Sequence, residues 1–237
     1  MKRMNAWLIG VTLAALATTM HGCKKDDKPA SEINEKPGHI PGMGEQQGEL
    51  QGEQFKLPRG VSLVSGITGA EYGPATPGVC VFDGVGINVM VKIELQRDSI
   101  GGPMTVEFPA GLVITSASEG FQHGLLVEKV LVPLPPRDPG ADAPRCNVTL
   151  LMACLNHSRN PSESDVNYKF GPVTNSPLIK DLLQRLAGKK ILFSQYPPND
   201  PDWSLNAEFI QDAVWNLTEY DGLTKDDLRH IAELPNK

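Results

Sequence analysis

The sequence predicts a chain that is mainly β with α: an antiparallel β-sandwich over residues 59–174, followed by a small C-terminal helical subdomain over residues 175–237 packed on it. Three observations carry this. Val89, Val91, Ile93 and Leu95 alternate with Met90, Lys92, Glu94 and Gln96, the period of a strand with one buried face. Short apolar runs recur around it, cut apart by glycine and proline, which suits antiparallel strands joined by turns better than a parallel α/β sheet. After residue 175 the apolar spacing changes to that of a helix.

Taken in order, Val61, Leu63, Val64 and Ile67 open a β-type segment after Gly60, and Val79 and Val81 lead into the alternating strand. Further strands are expected at 104–108, 112–117, 124–132 and 146–154, separated by Gly-Gly-Pro, Pro-Ala-Gly, Glu-Gly and Pro-Pro-Arg-Asp-Pro-Gly. Ser176 then reads as an N-cap with Pro177 in the first turn, and Leu178, Ile179, Leu182, Leu183 and Leu186 follow at helical spacing until Gly188. A second helix is expected near 205–217, with Phe209, Ile210, Ala213, Val214 and Leu217 on one side. Thr224 and Asp227 resemble a capping box opening a third helix through Leu234. The Leu, Phe and Trp positions of this region read as core.

Residues 23–58 read as a tether. Gly44-Glu-Gln-Gln, Gly48-Glu-Leu-Gln and Gly52-Glu-Gln-Phe form a three-fold tetrapeptide repeat, and a stretch so poor in apolar residues is expected to stay disordered. As a flexible coil it would span about 30–35 Å.

The start of the chain carries Lys2 and Arg3, then an uncharged, mostly apolar run from Ala6 to Thr19. That run is short of the about 20 apolar residues a spanning helix needs, and the pattern is that of a signal peptide. Met20-His21-Gly22-Cys23 resembles the lipobox of bacterial lipoproteins. The resemblance implies that residues 1–22 are removed and that Cys23 becomes the lipid-bearing first residue, anchored in a membrane. Lys24, Lys25, Asp26 and Asp27 resemble the charged stretch that marks Bacteroidota lipoproteins for the outer face of the outer membrane. Asp98-Ser99-Ile100 resembles the O-glycosylation site of the same phylum, with Ser99 as acceptor.

The formal charge is −6, and loss of the leader takes two of 22 basic residues and none of 28 acidic ones, leaving −8. This argues against a nucleic-acid partner, which selects a basic face. It also argues against electrostatic adhesion to anionic lipid, so attachment falls to the acyl chains.

With Cys23 assigned to lipid, Cys80, Cys146 and Cys154 remain, and an exported chain is expected to form disulfides. Cys146 and Cys154 fall eight residues apart on one expected strand, roughly 26 Å if fully extended, too far to pair directly. Cys80 is therefore expected to bond one of them. A Cys80–Cys146 bond leaves Cys154 unpaired.

Cys154-Leu155-Asn156 and, further on, Gln211-Asp-Ala-Val-Trp215 resemble the two signature pieces of the thioester domains of bacterial surface adhesins. The resemblance implies an internal thioester, with Cys154 as the leaving thiol and Gln211 as the acyl donor, open to attack by an amine on a target. Two departures stand out: Ala153 occupies a position where the family has an aromatic residue or Leu, and the 57-residue spacing is short. No pattern for a metal or cofactor is present, and the scattered histidines do not have ligand spacing. Trp203, Trp215 and Tyr196 are the aromatic residues from which a glycan-binding surface would be built.

The reading that follows is a surface-exposed, lipid-anchored module that is not an enzyme and acts by binding or adhesion to an extracellular protein or glycan. The alternative is a covalent adhesin domain with a Cys154–Gln211 thioester. A secreted hydrolase acting on glycan or peptide has no acid/base pair in the sequence to support it.

Overall fold

The structure is a computed structural model that describes residues 35–70, 79–198 and 200–237. The leader, Cys23 and the charged stretch after it lie outside the described residues. No helix among the described residues is long and apolar enough to cross a membrane.

Eleven strands are described: β1 (Gly52–Gln54), β2 (Val61–Leu63), β3 (Ile67–Gly69), β4 (Val79–Gly84), β5 (Val89–Arg97), β6 (Met104–Phe108), β7 (Leu112–Ser116), β8 (Gly124–Leu125), β9 (Val130–Leu134), β10 (Arg145–Cys154) and β11 (Asn167–Thr174). Helices α1 (Pro177–Leu186), α2 (Pro201–Thr218) and α3 (Lys225–Glu233) follow. The chain is mainly β with α, as the sequence predicts, but the sheet is not a plain sandwich. Strands β5, β3, β11, β7, β8 and β10 pair in turn, and β10 returns to β5 from Arg145↔Gln96 to Met152↔Val89, closing a six-stranded antiparallel barrel. Closure removes the open edges that two separate sheets would leave. Strands β1, β2 and β4 add to its rim, β4 running parallel to β10. The pair β6–β9 forms a separate ribbon.

The alternation in β5 explains the layers. Val89, Val91, Ile93 and Leu95 point into the barrel and share its core with Cys146, Val148, Leu150 and Met152 of β10. The ribbon sets Val106, Phe108, Val130, Val132 and Leu134 into the same core. The other face of β5 and β10 is not wholly wet: Met90, Leu151 and Ala153 lie beneath Leu182 of α1, Ile210 and Val214 of α2 and Ile231 of α3. The expected strand 124–132 is two strands, β8 in the barrel and β9 in the ribbon, because the chain leaves one layer for the other between them.

The helices begin where their caps place them. Ser176 Oγ accepts from Ile179 N–H at 3.3 Å, and Thr224 and Asp227 form a reciprocal capping box. Helix α2 starts earlier than expected, because Asp200 caps it and Pro201 opens it.

The expected tether is corrected by the structure from Glu35 onward. Ile40 and Met43 are each 1 % exposed in the core beneath the helices, β1 pairs with β11, and Phe55 packs on Phe108 and Phe170. Burying each such side chain contributes about 1.5–3 kcal/mol, enough to order a glycine-rich segment that carries only a few of them.

Candidate functional site

Strand β10 ends at Cys154, whose side chain follows Leu150 and Met152 into the barrel core. Leu155 N–H donates to His123 O at 2.9 Å, toward β8. The backbone N–H and C=O of Cys154 therefore face the opposite edge, where β5 has already ended at Val89. That open edge is closed by a side chain. Cys154 N–H donates to Gln211 Oε1 at 2.7 Å, and Gln211 Nε2 donates to Cys154 O at 2.9 Å. A buried backbone pair demands partners, and the carboxamide supplies both as a neighbouring peptide would.

Gln211 reaches this position because α2 lays Ala207, Ile210 and Val214 over the outer face of β10. Gln211 is itself 2 % exposed, and such burial is tolerated only because its donor and acceptor are both paired. The two residues singled out from the sequence are thus brought together.

The sulfur of Cys154 is enclosed by the loop that follows. Asn156 N–H points at Sγ at 3.3 Å, and the thiol reaches Asn156 O at the same distance. Trp215 Nε1 is buried without a hydrogen-bond partner; it lies near enough to the sulfur to lower the thiol pKa, without forming a bond of full geometry. Burial outweighs these donors and pushes the Cys154 thiol up to about 11. Cys80 and Cys146 form the disulfide, with Cα atoms 5.5 Å apart across β4 and β10, and Cys154 is left free.

Asn156 has no exposed surface, and its side chain is spent at both ends: Oδ1 accepts from His123 N–H at 3.1 Å, and Nδ2 donates to Gly44 O at 2.6 Å. His157 turns outward, its ring edge-on to Trp215 at 4.4 Å, and its N–H donates to Glu219 Oε1 at 2.8 Å. Beyond it an open groove of about 400 Å³ is lined by His157, Asp212, Trp215, Tyr220, Asp226 and His230. His123 sits on the other side of the loop. Its Nδ1 accepts from Ser116 N–H at 3.0 Å, and burial, then the charges of Arg159 and Lys169, hold its pKa down to about 4.

The remaining sequence-derived candidates do not join this site. Ser99 Oγ is buried, and a Cβ on Gly60 would stand 2.5 Å from it, so a glycan could be attached there only if the segment opened. Trp203 is 3 % exposed against Phe193, and Tyr196 is tied to Asn206 and Lys190; neither shares a surface with the groove over Trp215. Gly44 and His123 were missed in the sequence. Ile40, Met43, Leu50, Phe55 and Leu57, the apolar residues of the glycine-rich stretch, are the signal in the sequence that it packs.

Together these define a closed antiparallel barrel with a helical layer and a buried cysteine–glutamine pair at its mouth. Comparison with known protein families, with characterised proteins and with solved structures found no match.

Proposed function

We propose that this chain is a surface-attached adhesion module whose reactive element is an internal thioester between Cys154 and Gln211. One observation carries the reading: the Gln211 carboxamide is held against Cys154 by two hydrogen bonds, with Oε1 on the Cys154 N–H. That N–H polarises the carbonyl and stays in place as negative charge builds on Oε1 during attack, the role of an oxyanion-hole donor. Sγ adds to the side-chain carbonyl carbon, the C–N bond breaks, and ammonia leaves carrying the thiol proton. A later amine forms a C–N bond to the same carbon, the C–S bond breaks, and Cys154 takes back a proton as a thiol. Burial of the sulfur favours the uncharged acylated form over a free thiolate. Attachment through a lipid on Cys23, at the outer face of the outer membrane, is part of the same proposal and rests on the sequence.

The test is the intact mass. A thioester lightens the chain by about 17 Da, the ammonia lost in acylation, and methylamine then adds at Gln211. An unshifted mass with Cys154 open to iodoacetamide would refute the reading.

A second reading, non-covalent adhesion, is favoured by the groove beside Trp215, where Tyr220 is 51 % exposed. Binding of the partner that survives Cys154→Ser and is lost in Tyr220→Ala would select it.

A further inference from the structure

Residues 35–50 do more than fill the core, and their polar contacts converge on two places. Gly38 N–H donates to Leu217 O at 2.9 Å and Glu45 N–H to Glu219 Oε2 at 3.2 Å, both at the end of the helix that carries Gln211. Gly44 N–H donates to Leu155 O at 3.0 Å, and Gly44 O accepts from Asn156 Nδ2 at 2.6 Å, both on the loop that follows Cys154. The segment is thus a strap that joins the acyl-donor helix to the cysteine loop.

Gly44 is the contact at which side-chain size decides. Its φ is +61°, and a Cβ there would stand 2.2 Å from Thr218 O and 2.9 Å from Glu219 Oε2. Both the backbone conformation and the space demand glycine. Asn156 is correspondingly constrained: with Oδ1 held by His123 N–H and Nδ2 by Gly44 O, its backbone has no freedom to turn, and its N–H stays on Cys154 Sγ.

We infer that Asn156 is a positioning residue for the thioester chemistry and that the strap, through Gly44, is its clamp. This rests on the thioester reading. In both steps the sulfur passes through a state with thiolate character, first as it attacks Gln211 and later as it is expelled by the amine. A fixed N–H donor stabilises that charge only if it is already in place. The strap keeps it there, and it simultaneously holds the end of α2 against the loop, so that the carboxamide and the sulfur keep a constant relation.

The experiment uses the full chain purified in detergent, with Asn156→Asp, Gly44→Ala and, as a strap control, the exposed Glu49→Ala. Asp keeps the acceptor for His123 N–H but faces the Gly44 carbonyl with a second oxygen, and so releases the clamp. For each protein, far-UV circular dichroism and a melting curve report the fold. The rate of the 17 Da loss on refolding, about the mass of ammonia, reports thioester formation. The rate of methylamine incorporation reports its opening. After methylamine has freed Cys154, the pH profile of its alkylation reports how well the site supports a thiolate.

The expected result is that the Asp and Ala variants fold, form and open the thioester about tenfold or more slowly, and move the alkylation profile to higher pH, while Glu49→Ala matches the parent. Folded variants with parental rates and an unmoved profile overturn the inference and leave the thioester reading standing. A parent chain without the mass loss overturns the thioester reading itself. Failure of both variants to fold also overturns the inference, because the contacts then belong to stability and not to the reactive centre.

Discussion

Cys154 and Gln211 stand 57 residues apart in the chain, and the side-chain amide of one closes both backbone hydrogen bonds of the other. The pairing has two separable consequences, one for stability and one for chemistry.

Neither variant can form the thioester, so they are compared with each other: Gln211→Ala strands the Cys154 N–H and C=O at a dry edge, whereas Cys154→Ser keeps the carboxamide on both. Each buried group left unpaired costs about 1–3 kcal/mol, so a difference of several degrees in Tm is expected. Cys154→Ser keeps that backbone pair, so it should melt above Gln211→Ala by that margin. Both should lack the ammonia-sized mass loss. Melting curves and intact masses on the two variants check this, and equal Tm values for both would contradict it.

The free Cys154 thiol has a pKa raised to about 11, against 9.0 in the unfolded chain, chiefly by burial. The folded state therefore favours the protonated form. Its contribution is complete below pH 9 and is lost as pH rises from 9 toward 11, on the order of 2–3 kcal/mol at the end of that window. Acylated sulfur does not titrate. Urea unfolding at pH 8 and pH 10.5 should show this alkaline loss in methylamine-treated protein and not in protein that carries the intact thioester.

His123 gives the opposite limb. Its pKa is held down to about 4 from 6.5, first by burial and then by Arg159 and Lys169. The fold favours the neutral ring, so the stability it contributes is complete above pH 6.5 and declines as pH falls toward 4. A loss on the order of 3 kcal/mol is expected at the acid end. His123→Gln, which cannot take up a proton, should flatten the profile between pH 6.5 and 4 in the same unfolding assay.

The Cys80–Cys146 bond spans 66 residues between β4 and β10. A loop of that size lowers the entropy of the unfolded chain enough to stabilise the fold by about 4 kcal/mol. Cys80→Ala with Cys146→Ala should fall in urea midpoint accordingly. It should still lose the mass of ammonia, because Cys154 takes no part in the disulfide.

What could be read from the sequence was local. The β5 alternation depends on residues two apart, and the Ser176 and Thr224–Asp227 caps depend on residues three apart, so short windows contain their causes. The disulfide was narrowed to Cys80 with one of two partners because a strand cannot fold back within eight residues. The motif around Cys154 and Gln211 pointed to a pair, although nothing in the spacing said where the two would meet.

The rest was decided by tertiary structure. Barrel closure depends on the register of β5 against β10, which is set by the packing of both faces at once and not by either strand. Ile40 and Met43 are two apolar residues in a glycine-rich stretch, and their value appears only when the helical layer offers them a core. Gln211 meets Cys154 because β5 stops at Val89 and leaves two backbone groups unpaired on β10. A helix side chain answers that vacancy only after the helix has been laid across the barrel. Short-range periodicity determined the elements; the need to pair the buried N–H and C=O of Cys154, which only the assembled fold poses, determined the site.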